Sequence, residues 1–226
     1  HQGVLRGDVV RRERAAAVRQ SYVANLVAAD SSLRMREIAE AKRRLQLEGR
    51  LVLGFVGFMR EWHGLERVLE FMARAKDRER LLALFVGDGP ARGALEARAR
   101  ELGLESSLRI TGVMPRDQIP QTLAAFDVAL QPAVVDYASP LKLFEYLAVG
   151  LPIIAPDLPN IREVLRNDDN ALLFAEGDPQ DFVRCLSRMT NDAGLRTRLA
   201  ASAAATIAPR AAFGRNVRRN ILNQLF

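Results

Sequence analysis

Lys142 and Glu145 stand three residues apart in the segment Ser139-Pro140-Leu141-Lys142-Leu143-Phe144-Glu145-Tyr146-Leu147-Ala148-Val149-Gly150-Leu151-Pro152. Pro near the start and Gly at the end mark a short helix over 141–149 that runs into the apolar stretch 153–155. On that helix the ammonium and the carboxylate share one face. The helix start adds backbone N–H groups unused by its own ladder and a positive dipole end, both suited to phosphate. A diphosphate held by those amides and Lys142, with ribose hydroxyls donating to Glu145, is the chemistry this spacing allows. The same spacing also describes a solvated surface pair worth about 0.2–0.5 kcal/mol. Composition favours the first: of 33 Lys and Arg residues only Lys42, Lys76 and Lys142 are lysines, so a Lys at this place points to a need for a compact ammonium.

Two glycine-bounded loops offer further chemistry. Gly57-Phe58-Met59-Arg60-Glu61-Trp62-His63-Gly64 holds a guanidinium at Arg60, suited to bidentate phosphate recognition. It also holds an imidazole at His63 that can donate to a phosphate, or shuttle a proton if its pKa lies near neutral. Each has a plainer reading, as a surface Arg and as a loop His packed beside Trp62. The turn Gly87-Asp88-Gly89-Pro90-Ala91-Arg92-Gly93 invites comparison with dinucleotide dehydrogenases, and three facts oppose it. It follows the second strand rather than the first, and Pro90 occupies the first helical turn. The stretch about 20 residues on, Leu108-Arg109-Ile110-Thr111, ends in no ribose-binding acid. A tight strand-to-helix turn is the plainer account of those glycines.

These residues need a scaffold, and the chain supplies one by alternation. Apolar stretches at 51–58, 81–86, 108–111, 128–131, 153–155 and 171–174 predict strands. Amphipathic stretches at 65–75, 91–102, 118–125, 141–149, 159–166 and 179–189 predict helices. The pattern specifies an α/β, Rossmann-like parallel sheet with helices on both faces, where ligands bind at the carboxyl ends of the strands. The glycine loops and the 141–149 helix fall at those ends. Residues 1–50, rich in Arg and Ala and helical in pattern, read as an N-terminal segment or linker, and 51–226 as the domain with C-terminal helices. Within 190–226 two helices are expected, the last presenting Phe213, Val217, Ile221 and Leu225 as a packing stripe.

Composition removes other classes. With Cys185 as the one cysteine and His1 and His63 as the two histidines, disulfide frameworks and zinc sites are excluded, no metal site is expected, and a reducing compartment fits. No apolar run approaches the ~20 residues of a bilayer span, and no signal peptide pattern opens the chain. His1 rather than Met is its first residue, as in a fragment or a processed chain. The net charge of +6 comes from scattered Arg without the aromatic interleaving of an RNA-binding sheet, so nucleic acid is not an expected partner.

The Ser139–Pro152 segment resembles the donor-binding motif of family 4 retaining glycosyltransferases, in the subgroup carrying Ser-Pro-x-Lys-Leu-x-Glu, and residues 45–225 follow that family's order. The resemblance implies the C-terminal, donor-binding domain of the two-domain GT-B fold. It implies transfer of a sugar from a nucleoside diphosphate sugar to an acceptor, with retention and with no metal or other cofactor. Lys142, Glu145, Arg60 and His63 would act on the diphosphate and ribose. Gly57, Gly87 and Gly89 would let backbone approach the donor, Val113 would lie against the base, and the amides at Ser139, Leu141 and Leu143 would meet phosphate. Two departures stand out. Where the family has Arg after the first loop glycine and Lys before the second, this chain has Phe58 and His63. Where it has a Glu eight residues before Glu145, this chain has Tyr137, with Asp136 adjacent either as a substitute or as a solvated loop acid.

The family's acceptors are glycans, lipid-linked groups or small molecules bound by the other domain. Residues 1–50 hold no strand–helix set for that domain, so it is expected in cis or as a separate chain. A cytoplasmic location is implied, with basic faces able to touch anionic lipid on the cytoplasmic side of a membrane. The alternative is a non-catalytic module, descended from such an enzyme, that binds nucleotide sugars or serves in interactions.

Overall fold

The computed structural model describes residues 31–134 and 141–212, with side chains for 37–134 and 142–206. The apolar stretches become strands β1 (Leu51–Val56), β2 (Leu81–Val86), β3 (Leu108–Ile110), β4 (Val128–Leu130), β5 (Ile153–Pro156) and β6 (Ala171–Phe174). They form one sheet in the order β3-β2-β1-β4-β5-β6, parallel at every pairing. Around it lie α1 (Ser31–Arg44), α2 (Glu66–Arg74), α3 (Arg92–Glu101), α4 (Ile119–Leu123), α5 (Leu141–Val149), α6 (Pro159–Arg162), α7 (Pro179–Asn191) and α8 (Ala193–Ala212). The fold is the α/β, Rossmann-like class that the alternation predicts.

Both faces of the central strand are covered, which is why β1 is buried at every position and reads as an unbroken apolar run. Leu53 and Phe55 enter one layer with Met72 of α2 and Phe182 and Met189 of α7. Val52 and Val56 enter the other with Leu143, Tyr146 and Leu147 of α5. Gly54 is the gap in this strand that the Phe126 ring fills, since a Cβ there would lie 2.1 Å from it.

Several element ends differ from the sequence reading. β1 stops at Val56 because Gly57 adopts φ +141° and turns the chain. The helix expected over 159–166 ends at Arg162, after which the Arg166 N–H donates to Asn170 Oδ1 at 2.7 Å. The 190–226 stretch contributes one long helix as far as Ala212, and the stripe Phe213, Val217, Ile221 and Leu225 lies outside the described residues.

The chain ahead of β1 is helical, and part of it is packed on the sheet. Ala41 and Leu47 belong to the second apolar layer, and the Lys42 ammonium reaches Asp127 Oδ2 at 2.6 Å and the Arg50 carbonyl at 2.9 Å. Asp127 Oδ2 also accepts from the Val52 N–H at 2.6 Å, so this ion pair ties α1 to the amino ends of β1 and β4. Residues 37–50, in the stretch read from sequence as a helical N-terminal segment or linker, therefore pack against the sheet's second layer. Among the described residues no helix is long and apolar enough to cross a membrane.

Candidate functional site

The sheet order reverses at β1: β2 and β3 lie on one side, β4 to β6 on the other. In open α/β sheets that switch point leaves a crevice at the strands' carboxyl ends. Helix α5 starts there, and its sequence explains why. Leu143, Tyr146 and Leu147 form a fully buried stripe that fixes the helix on the sheet, which leaves the neighbouring stripe, Lys142 and Glu145, half-buried at the rim.

The Lys142 ammonium lies 4.0 Å from the centroid of the Phe55 ring and 3.4 Å from where a Cβ on Gly57 would sit. The stem is half-buried while the charged end is drawn out of water over the aromatic face, a cation–π contact. That desolvation lowers the Lys142 pKa to about 7, against the opposing pull of Glu145. An anion arriving at this point would meet a cation with little hydration to lose. Glu145 is close enough to act on both Lys142 and Tyr146 electrostatically.

His63 takes the place of its plainer sequence reading, packed beside Trp62. Its ring is buried, with Trp62 at 3.9 Å and Phe55 at 5.0 Å between centroids. Burial first, then the Lys142 charge, lower its pKa to about 4, so it is neutral at pH 7. Its Nδ1 accepts from the Arg60 N–H at 3.0 Å, which assigns the proton to Nε2. The imidazole can donate a hydrogen bond but does not relay protons near neutrality. Arg60 itself is exposed, its guanidinium 5.0 Å from the centroid of Phe58.

The depressed His63 pKa has a measurable consequence. Between pH 6.5 and 4 the unfolded chain binds a proton that the folded chain does not, so stability falls as pH drops through this window. A loss of about 2–3 kcal/mol is expected across it. Urea titrations at pH 6.5 and 4.5 check this, and His63→Gln should flatten the slope.

The two glycine loops and the turn that follows β3 at Thr111 and Gly112 are stitched into one wall. The Gly57 N–H donates to the Val86 carbonyl at 2.9 Å and the Met59 N–H to the Asp88 carbonyl at 2.8 Å. The Gly87 N–H donates to Thr111 Oγ1 at 3.1 Å, and that hydroxyl donates to the Gly112 carbonyl at 2.8 Å. Gly87 and Gly89 owe their identity to this stitching. A Cβ on Gly87 would lie 2.2 Å from the Gly57 carbonyl oxygen, and one on Gly89 2.2 Å from that of Met59. Val113, 87% exposed, stands at the outer end of the wall, with the Arg92 guanidinium, held by Glu96 and Asp88, close to Gly112.

The family model described as glycosyl transferases group 1 matches residues 37–206. The chain belongs to that family. Among relatives of this group 1 glycosyl transferase chain, the 2-deoxystreptamine glucosyltransferase of Streptomyces kanamyceticus is 31% identical over 159 residues, covering 69% of this chain and 41% of that protein. The D-inositol 3-phosphate glycosyltransferase of Salinispora arenicola is 29% identical over 181 residues, covering 75% of this chain and 40% of that protein. Solved structures share the fold. Anabaena HepE in complex with UDP superposes with a TM-score of 0.72 at 21% identity, over 89% of this chain and 54% of that one. The C-terminal domain of LpcC, a glycosyl transferase group 1 family protein from Francisella tularensis, gives 0.67 at 20% identity, over 76% of this chain and 91% of that one. The chain thus spans about half the length of the curated relatives it matches.

In this group 1 glycosyl transferase chain the structure brings Gly57, His63, Lys142 and Glu145 to one rim. It leaves Arg60 on Phe58, and it buries the Leu143 side chain in the core, so only the backbone of Leu143 can face a ligand. Leu141 opens α5, whereas Ser139, Asp136 and Tyr137 lie outside the described residues. Phe55, the floor under Lys142, and the Tyr146 hydroxyl are parts of the rim that the sequence reading missed. Tyr146 is fully buried, and its hydroxyl accepts from the Val56 N–H at 3.0 Å and donates to the Leu130 carbonyl at 3.2 Å. Burial raises its pKa, so it stays a neutral donor. A Tyr directly after Glu145 was the available signal, since a buried phenol must find a polar partner. Among the described residues no group of three or more His, Cys, Asp or Glu is placed to hold a metal ion.

Proposed function

We propose that this chain is the donor-binding half of a retaining glycosyltransferase that uses a nucleoside diphosphate sugar, in the subgroup marked by Ser-Pro-x-Lys-Leu-x-Glu. The observation that carries this reading is the Lys142 ammonium, desolvated over Phe55 beside Gly57 at the start of α5, with Glu145 on the same helix. A diphosphate would lie across Gly57 and the α5 amides. Its negative charge would meet Lys142 and the Nε2–H of His63, and Glu145 would accept from the ribose. When the sugar departs, charge grows on the diphosphate, and oriented donors in a partly dry site stabilise that charge most. We propose that these groups serve in place of a metal. The acceptor half would come from another domain, in cis or as a separate chain.

Support comes from neighbours. Anabaena HepE has been solved with UDP and with UDP-glucose, and curated relatives are named for sugar transfer. A second reading has one observation in its favour. The two positions where the family carries Arg and Lys are Phe58, 58% exposed, and His63, buried and neutral. A module that binds nucleotide sugars without turning them over would tolerate that exchange.

Calorimetric titration of the chain with UDP, GDP and ADP tests the proposal. At least one is expected to bind, and Glu145→Ala should weaken that binding by about 1.5–3 kcal/mol, the worth of a hydrogen bond to a charged group. Absence of binding by folded wild-type chain would sink the reading. Transfer restored on adding the acceptor half favours the enzyme over the non-catalytic module.

A further inference from the structure

Strands β1 and β4 pair over a short stretch, Leu53 with Val128 and Gly54 with Ala129. Continued by one step, that parallel register would join the Val56 N–H directly to the Leu130 carbonyl. It does not. The Tyr146 hydroxyl stands between them, accepting from the first at 3.0 Å and donating to the second at 3.2 Å. A rung of the ladder is replaced by a side-chain oxygen delivered from α5, at the point where the sheet changes direction. The two strand ends are thereby held apart by the width of a hydroxyl, and the crevice opens there.

The same phenol fixes what lies around it. Val56 is followed by Gly57, the residue over which the Lys142 ammonium sits, and Tyr146 is followed around its own helix by Glu145 and Lys142. One oxygen therefore ties the helix carrying both ligand-facing charges to the strand end carrying the phosphate-facing glycine. The ring is fully buried, with Phe126 at 6.4 Å between centroids, so the hydroxyl has no freedom to move away.

We infer that Tyr146 is a positioning residue for nucleotide binding: its hydroxyl sets the width of the β1–β4 crevice and the placement of Lys142 and Glu145 relative to Gly57. This rests on the nucleotide-sugar reading of the site. Phe at this position would fill the same volume, yet it would leave a buried N–H and a buried carbonyl to pair with each other, drawing the crevice closed, or to remain unpaired.

The test is a double-mutant cycle on UDP affinity, followed by NMR titration of the 226-residue chain. Tyr146→Phe is expected to weaken UDP tenfold or more. In a Glu145→Ala background the same change should weaken it at least threefold less than in wild type, because one of the two groups it positions is gone. Met189→Ala, a core truncation under α7 on the other face of the sheet, should lower stability and leave affinity within twofold. Equal losses for Tyr146→Phe in both backgrounds, or an affinity within twofold of wild type, overturn the proposal, and so does an equal loss in Met189→Ala. Should Tyr146→Phe fail to fold, amide exchange in the wild type decides. UDP is expected to slow the Val56 amide at least tenfold, and unchanged exchange at Val56 overturns the proposal. If wild type binds none of UDP, GDP and ADP, the nucleotide reading itself falls, a result distinct from a variant that binds normally.

Discussion

Gly89→Ala is expected to destabilise the folded chain by about 4 kcal/mol, a large share of the roughly 5–15 kcal/mol that holds a domain folded. Two effects add. The new Cβ would sit 2.2 Å from the Met59 carbonyl oxygen and 2.6 Å from the Met59 nitrogen, backbone atoms that cannot swing aside as a flexible side chain would. The residue also holds φ +156°, a conformation that side chains rarely adopt. Relief would require the first loop to retreat, and that loop is held by the Met59 N–H to the Asp88 carbonyl and by the Ala91 N–H to the Met59 carbonyl. Urea unfolding measures the result as a lowered midpoint with an unchanged slope. A variant of wild-type stability with weakened nucleotide binding would instead show that Gly89 serves the ligand directly.

Lys142→Met should move affinity and stability in opposite directions. Nucleotide binding is expected to weaken by about 3 kcal/mol, because a phosphate loses its charged partner in a partly dry site. Stability should rise. The folded chain holds Lys142 at a pKa of about 7, well below the unfolded value, so from pH 7 to about 10 the unfolded chain binds the extra proton. Wild-type stability therefore climbs with pH across that window, and the burial penalty is fully present below it. Met removes the penalty, so the variant should exceed wild type by about 2 kcal/mol at pH 6 and lose that lead as pH rises. Bound diphosphate would hold the ammonium charged. Binding above pH 7 should then take up a proton, visible as a calorimetric heat that changes with the buffer's ionisation enthalpy. Equal affinity of Lys142→Met and wild type for UDP-glucose would remove Lys142 from the site.

The sheet was legible because parallel strands covered on both faces are unbroken apolar runs, and β2 and β6 ended where those runs ended. Helix ends were less so. Ile161 and Leu165 are both buried at helical spacing, yet α6 stops at Arg162, since a turn closed by Asn170 buries Leu165 equally well. The charges at the start of α5 could be read from type and spacing alone. What could not be read was anything set by distant neighbours. Packing of His63 beside its neighbour Trp62 was among the sequence readings, but nothing local tells that Phe55 will cover the ring and that Lys142 will lower its pKa. Gly87 and Gly89 could be read as a tight turn, but not as the place where carbonyls from about 30 positions earlier pack against the backbone. Lys42, passed over in the sequence, has its partner 85 residues away at Asp127.

The stitched wall from Gly57 through Asp88 to Thr111 bears on how this domain would meet a ligand. Backbone groups of this wall are already paired across three loops, so a ligand arriving there would find a surface with little freedom left to surrender. Ordering entropy, which often erodes the affinity of loop-built sites, is in this wall spent during folding rather than at binding.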